Sequence, residues 1–228
     1  MKAFAAALRP FYWGPLMRGV VPTIEHRTTL LALNPLTVID VGANRGQFSI
    51  FSRFTWPDSK IIAFEPQPDQ AETWKKLNID NSHLIEIALG AKSSQAQLYI
   101  ASRKDSSSLL PLGENQKTLF RMDEVGTINV DVKRLDQVLQ PEDLTGPTLM
   151  KIDVQGFEYE VLEGATGLFP YIDFLYLELS VVELYVGQTL YNEVKAFLAG
   201  HGFEELRKNA EDNVQFDVVF RRKQATVK

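Results

Sequence analysis

The feature that most constrains this chain is a glycine turn set between two different periodicities. Thr37-Val-Ile-Asp-Val41 is an unbroken run of strand length, Asp40-Val-Gly-Ala-Asn-Arg-Gly46 leads out of it, and Phe48, Phe51 and Phe54 then recur at helical spacing. Glycines between a strand and a helix let the backbone approach a ligand closely. The helix start beyond them offers N–H groups that have no partner within the helix. Gly42 and Gly46, with Asn44 between them, depart from the Gly-x-Gly-x-x-Gly of dinucleotide sites, so a nicotinamide cofactor is poorly matched. Read without a ligand, the same glycines simply make a tight strand-to-helix turn.

The alternation continues downstream. Lys60 to Phe64 reads as a second strand closed by Glu65-Pro66, Asp69 to Leu77 as a helix with Ala71, Trp74 and Leu77 on one face, and His83 to Leu89 as a third strand. This βαβαβ order requires right-handed crossovers and a parallel sheet covered by helices. From Gly90 to Pro147 the character changes. Ala96 to Ala101 and Thr127 to Val132 alternate like antiparallel strands around Ser106-Ser107-Ser108, which predicts an insertion with a loop over the sheet edge. Thr148 to Asp153 and Phe174 to Glu178 are further core strands, with a helix from Gly156 to Ala165 between them. After a helix from Tyr191 to Ala199, Phe203 to Arg207 and Val214 to Arg221 pair through the turn-prone Asn209 to Asn213. The expected fold is α/β, a doubly wound and mostly parallel sheet with an antiparallel terminal hairpin and a small antiparallel insertion. Residues 1–36 are expected to form a helical or lid segment ahead of a single domain spanning 37–228.

Composition narrows the function. With 228 residues, 45% hydrophobic and 23% charged, the chain can bury one sizeable core. The absence of cysteine removes disulfides, thiolate metal sites and thiol nucleophiles, and fits a cytosolic setting. His26, His83 and His201 are too far apart for a local histidine metal motif, although a carboxylate site stays open. Twenty-four basic against 29 acidic residues give a net charge of −5, so no global positive field draws the chain to nucleic acid. Met1 to Val21 is apolar and aromatic, but Pro10, Gly14 and Pro15 interrupt it short of the about 20 residues a membrane span needs. Its aromatics Phe4, Phe11, Tyr12 and Trp13 suit a homodimer surface, an acceptor lid or a peripheral membrane contact.

Four acids and a histidine are the candidates for chemistry. Glu65 lies 25 residues after Asp40 at the end of the second strand, where such folds set an acid against ribose hydroxyls. Lys151, Asp153 and Gln155 share a parity opposite to Ile152 and Val154, so Asp153 faces the carboxyl edge where ligands of open sheets bind. Glu178 ends the next strand and faces the same cleft. Two acids there allow a general base, or a divalent cation held between them. His26, ahead of the first strand, reaches the cleft if its segment folds across it, and is otherwise a surface or capping residue. Glu158 falls in a first helical turn, where a carboxylate is favoured in any case.

Val38 to Phe48, Phe64-Glu-Pro66, Ala88-Leu-Gly90 and Leu149-Met-Lys-Ile-Asp-Val-Gln-Gly-Phe-Glu158, taken together and in this order, resemble the FkbM family of S-adenosylmethionine-dependent methyltransferases over about residues 20 to 222. The resemblance implies a class I methyltransferase fold of seven strands with the last antiparallel. It also implies methylation of a hydroxyl on a sugar, a glycan- or lipid-linked acceptor or a secondary metabolite. Carried over, Asp40, Gly42, Asn44 and Gly46 match the motif under the methionine part of the cofactor, Glu65 the ribose-binding acid, and Ala88 and Leu89 a segment near the adenine. Gln47 and Phe48 support the turn and its packing, and Asp153 is placed to meet the acceptor hydroxyl or the sulfonium. The family often carries Glu where Gln155 stands, so no role here rests on a charge at 155. Two other readings stay open, an NAD-dependent oxidoreductase and a methyltransferase-like binding protein without turnover. N- or C-methylation differs from O-methylation only in the acceptor.

Overall fold

The computed structural model describes residues 13–23, 26–209 and 214–223. Seven strands form the main sheet in the order β3-β2-β1-β7-β8-β10-β9. They are β1 (Thr37–Val41), β2 (Lys60–Phe64), β3 (Ser82–Ile85), β7 (Thr148–Ile152), β8 (Phe174–Ser180), β9 (Phe203–Asn209) and β10 (Gln215–Arg222). All neighbours are parallel except β10, which runs antiparallel to both β8 and β9. The chain crosses from β3 at one edge back past β1 to β7, so the order reverses between β1 and β7. That reversal opens a crevice at the carboxyl ends of the central strands.

Both faces of the sheet are covered, which is why β1 and β7 are buried at every position. One face carries Ile39, Val41, Met150, Ile152, Leu175 and Leu177 into the larger core. The opposite parity carries Val38, Leu149, Tyr176 and Val219 against Phe48 and Phe51 of a helix at Gln47–Thr55. The same parity, continued toward the carboxyl ends, presents Asp40, Lys151, Asp153, Glu178 and Asp217. An apolar strand face therefore turns polar only where the sheet ends.

The third strand differs from expectation. Ser82–Ile85 stays in the main sheet, whereas Ala88–Leu89 leaves it as β4 and pairs in parallel with β6 (Glu124–Lys133) of a second sheet. Glu86 and Ile87 make the break, and β5 (Ser94–Ala101) completes the second sheet antiparallel to β6. The insertion is thus anchored at the strand end where the core sheet stops. The hairpin β9–β10 forms as its alternation predicts, with residues 210–213 of its turn outside the described part. Residues 1–12, with Phe4, Phe11 and Tyr12, also lie outside it. A short helix spans Trp13–Met17, and no helix among the described residues is long and apolar enough to cross a membrane.

Candidate active site

A cavity of about 340 Å³ opens over the carboxyl ends of β1, β2, β7 and β8. Thr23 and His26 close one side of it, and the insertion, through Arg103 to Ser107, Gln116 and Met122, forms its roof. Ala88 and Leu89 line the wall near β2, so the strand that leaves the main sheet does so against the cavity. Of the residues the sequence singled out for a cofactor, Gly42, Asn44, Glu65, Ala88, Leu89 and Asp153 line this space, and Asp40 and Gly46 stand behind its wall.

The glycine turn is fixed by close approach. Gly42 has φ +74°, and a Cβ on it would lie 2.0 Å from the carbonyl oxygen of Asp153. Only hydrogen fits between β1 and β7 there. The N–H groups of Gly42 and Ala43 donate to the carbonyl of Phe64 at 3.0 and 2.9 Å, tying the turn to the end of β2. Gly46, at φ +93°, packs against Leu77 and Trp74 and starts the helix at Gln47 without a side-chain cap. The first-turn N–H groups of that helix are left for a polar ligand. Gln47 and Phe48, expected only to pack, both reach the cavity wall. The Oε1 of Gln47 and the Oγ1 of Thr23, another wall residue, are buried atoms with no hydrogen-bond partner among the described residues. A ligand that donates hydrogen bonds would satisfy both.

Asp40 is fully buried under this turn. Ser49 Oγ donates to its Oδ2 at 2.6 Å, Trp74 Nε1 donates to Ser49 at 3.0 Å, and Lys151 Nζ stands 3.4 Å from Oδ1. Lys151 also donates to the carbonyl of Gly42 at 3.0 Å and lies 3.5 Å from Asp153 Oδ2. Burial works against its ammonium, yet Asp153, Asp40 and Glu178 outweigh burial and raise its pKa. Lys151 is therefore a fixed positive charge between the turn and the acids.

Glu65 is buried at the end of β2. Its Oε2 accepts the N–H of Asn44 and its Oε1 that of Gln67, each at 2.8 Å. Asn44, at φ +49°, adopts the left-handed conformation that asparagine tolerates, and this turns its N–H toward Glu65. Burial pushes the Glu65 carboxyl up to about 7, against the pull of those two N–H groups and of Lys151. The group is held rigidly, and each oxygen keeps acceptor capacity for a ligand hydroxyl.

The acids meet at the centre. In register, Asp40, Lys151 and Tyr176 lie abreast on β1, β7 and β8, and one step further Glu178 lies opposite Asp217 of β10. Gln155 Nε2 donates to Asp153 Oδ1 at 2.8 Å and to Glu178 Oε2 at 2.9 Å. Enclosure, then Asp153, Asp217 and Glu158, raise the Glu178 pKa well above the usual carboxylate range. Glu158 turns back from its helix (Glu158–Ala165), and its Oε1 accepts the N–H groups of Val154 and Gly156, both at 3.1 Å. Burial pushes its carboxyl up to about 7 as well.

His26 does reach the cleft, but its Nδ1 is engaged, 2.6 Å from the Tyr176 hydroxyl and 3.6 Å from Asp217 Oδ2. Tyr176, Asp217 and Tyr185 were not foreseen. Tyr176 was available from parity, being two residues before Glu178. Asp217 and Tyr185 needed the β8–β10 register and the packing of the insertion. His83 is exposed on an edge strand, and His201 caps a helix end, its Nδ1 2.9 Å from the carbonyl of Phe197. A divalent cation between Asp153 and Glu178 does not fit the residues present. The two acids are bridged by the amide nitrogen of Gln155, a donor and not a metal ligand, and no cluster of three or more acidic or histidine side chains suited to a metal occurs among the described residues.

The chain matches the Methyltransferase FkbM domain over residues 40–205. It is 30% identical to Methyltransferase sdnD of Sordaria araneosa, covering 85% of this chain and 83% of that protein. It is 27% identical to the 2-O-methyltransferase NoeI of Sinorhizobium fredii, with 72% of each covered. Among solved structures, a protein in the NADB-Rossmann superfamily from Streptococcus agalactiae superposes with TM-score 0.53 at 8% identity, covering 92% of this chain and 72% of that one. That likeness shows the doubly wound fold.

Proposed function

The chain belongs to the FkbM family of methyltransferases, and from that premise we propose that it transfers the methyl group of S-adenosylmethionine to a hydroxyl of a sugar, a glycan- or lipid-linked acceptor or a secondary metabolite. The observation that carries this reading is the meeting, in one cavity, of the Gly42 turn, Glu65 and the pair Asp153 and Glu178. The cofactor supplies a methyl group on a positively charged sulfur. The residues fit it. Glu65 has acceptor capacity for two ribose hydroxyls, Gln47 Oε1 and the uncapped helix start suit the amino acid end, and Ala88 and Leu89 give an apolar wall for the base.

Glu178 is the proposed general base. Its raised proton affinity favours transfer of the hydroxyl proton to it, and Asp153 beside it, less enclosed, orients the hydroxyl. Glu178 would take up the acceptor hydroxyl's proton when the oxygen receives the methyl group that the bound cofactor would supply. Alignment of the hydroxyl oxygen with the methyl group supplies much of the rate. The name of the NoeI relative, a 2-O-methyltransferase, supports oxygen as the acceptor atom. The acidic centre disfavours an anionic group beside the reacting hydroxyl, which supports a neutral, hydroxyl-rich acceptor. His26 is retained as a candidate base only through Nε2. The proposal keeps residues 37–228 as one domain and residues 1–36 as a segment of which Thr23 and His26 close the cavity. It also sets the enzyme in the cytosol, with a homodimer as part of the same reading.

Titration calorimetry with S-adenosylmethionine and, separately, NAD tests the cofactor. Transfer of a tritiated methyl group to a panel of neutral sugars, uronic acids and amino sugars tests the acceptor. Binding of S-adenosylmethionine alone, with transfer to neutral sugars abolished in Glu178→Gln, is the expected result. Binding of NAD in its place would overturn the reading.

A further inference from the structure

Gln155 is a polar side chain at the centre that the reaction as described does not use, and it alone hydrogen-bonds both Asp153 and Glu178 among the described residues. We propose that it is a positioning residue, holding Asp153 and Glu178 at a fixed separation on the two hydrogens of one amide and keeping them from sharing a proton. This rests on the reading of those two carboxyls as the reacting acids.

The orientation of the amide follows from its neighbours. Gln155 Oε1 lies 2.8 Å from the Tyr185 hydroxyl, a distance at which the tyrosine donates. Tyr185 in turn receives Gln116 Nε2 at 3.0 Å, so its lone proton goes to Gln155 or to the carbonyl of Ser106 at 2.9 Å. The carboxylates on the other side of the amide are acceptors only when ionised, so Nε2 faces them and gives one hydrogen to each. The backbone is committed to the same end. Gln155 has φ +60°, a conformation costly for a residue with a Cβ, and the N–H groups on either side of it, those of Val154 and Gly156, are both taken by Glu158 Oε1. A strained residue pinned from both sides is placed for its side chain.

The amide matters because the centre is crowded with negative charge. Asp153 and Glu178 face Asp217 of β10, Glu158 of the following helix, Asp40 of β1, the Tyr176 and Tyr185 hydroxyls and His26, with Lys151 the one ammonium among them. Two carboxyls left alone in such a place retain a common proton, and a protonated base cannot accept another. Amide hydrogens donated to both favour the charged forms. Glu at this position has no hydrogens to donate when ionised and adds an acid.

The test is a titration of ¹³C-labelled Asp and Glu carboxyls by NMR in the starting protein, Gln155→Met, Gln155→Glu and Tyr185→Phe, with Asp153→Asn and Glu178→Gln to assign the signals. It needs neither acceptor nor cofactor, so it stands whether or not the methyl-transfer reading does. Gln155→Met is expected to raise the titration midpoints of both acids by about one pH unit, the size of an ordinary hydrogen-bond effect on a carboxylate. Tyr185→Phe, which leaves the backbone untouched but frees the amide to rotate, is expected to shift them in the same direction by less. If transfer is detected, the acid limb of kcat moves up with the midpoints while KM for S-adenosylmethionine changes less than about twofold. Midpoints unchanged in Gln155→Met overturn the proposal. Should that variant fail to fold, unchanged midpoints in Tyr185→Phe overturn it equally.

Discussion

At the scale of single residues, the site is a set of carboxyls whose charge state is decided by burial. Glu65 is pushed up to about 7 by its enclosure, and the ribose hydroxyls of the proposed cofactor would donate to its charged form. Binding of S-adenosylmethionine is therefore expected to tighten as pH rises through about 7, and to release a proton below it. Calorimetry in two buffers of different ionisation enthalpy measures that release. Glu65→Gln should abolish the pH step and weaken binding about ten- to hundredfold, because an amide nitrogen would then face the N–H of Asn44 or Gln67. Glu158 gives a cleaner case. Its folded carboxyl is raised from 4.5 to about 7, so the stability it contributes is fully present below about 4.5 and is lost as pH rises through about 7. That loss amounts to about 3 kcal/mol at most. Both of its hydrogen bonds end on Oε1, which glutamine also has. Glu158→Gln should match the starting protein below pH 5 and melt higher at pH 8, whereas Glu158→Ala should melt lower at both. Thermal melts across that range decide it.

At the scale of elements, the candidate site takes its shape because two strand ends approach more closely than side chains permit. A Cβ at Gly42 would sit 2.0 Å from the Asp153 carbonyl, at a backbone φ of +74°. Gly42→Ala must push β1 and β7 apart at the point where the cavity opens. The expected cost is about 2 kcal/mol or more, which is about 4–8 °C in melting temperature for a chain of this size, with loss of cofactor binding. Gly126→Ala is the control. Nothing lies within 4 Å of a Cβ there, and its effect should fall within about 0.5 kcal/mol. The elements most exposed in the sequence as periodic runs, β1, β2, β7 and β8, are those buried on both faces. The sequence pattern of the third strand runs on to Leu89, because its apolar content does not stop at Ile85. Only the second sheet, pairing Ala88 with Val132, explains where the chain goes next.

At the scale of the whole molecule, the cavity is enclosed by an insertion from the middle of the chain and a segment from its start. Ser106 and Gln116 reach the Tyr185 hydroxyl from the roof, and His26 reaches Tyr176 from the other side. A ligand beneath the roof should hold it down. Limited proteolysis with and without S-adenosylmethionine is expected to show protection of cleavage sites between Ser102 and Leu109, and equal cutting in both would count against the insertion as a lid. What the sequence by itself determined is the local part: the glycine turn, the alternation of strand and helix, and the acids at the strand ends. Those follow from periodicity and from the conformations that Gly, Pro and Asn allow, which act over a few residues. Tertiary structure decided the rest. The sharing of Gln155 between Asp153 and Glu178, the engagement of His26 by Tyr176, and the approach of Asp217 to Glu178 all join residues far apart in the chain. Such contacts are set by strand register and by the packing of the insertion, and no local pattern encodes them.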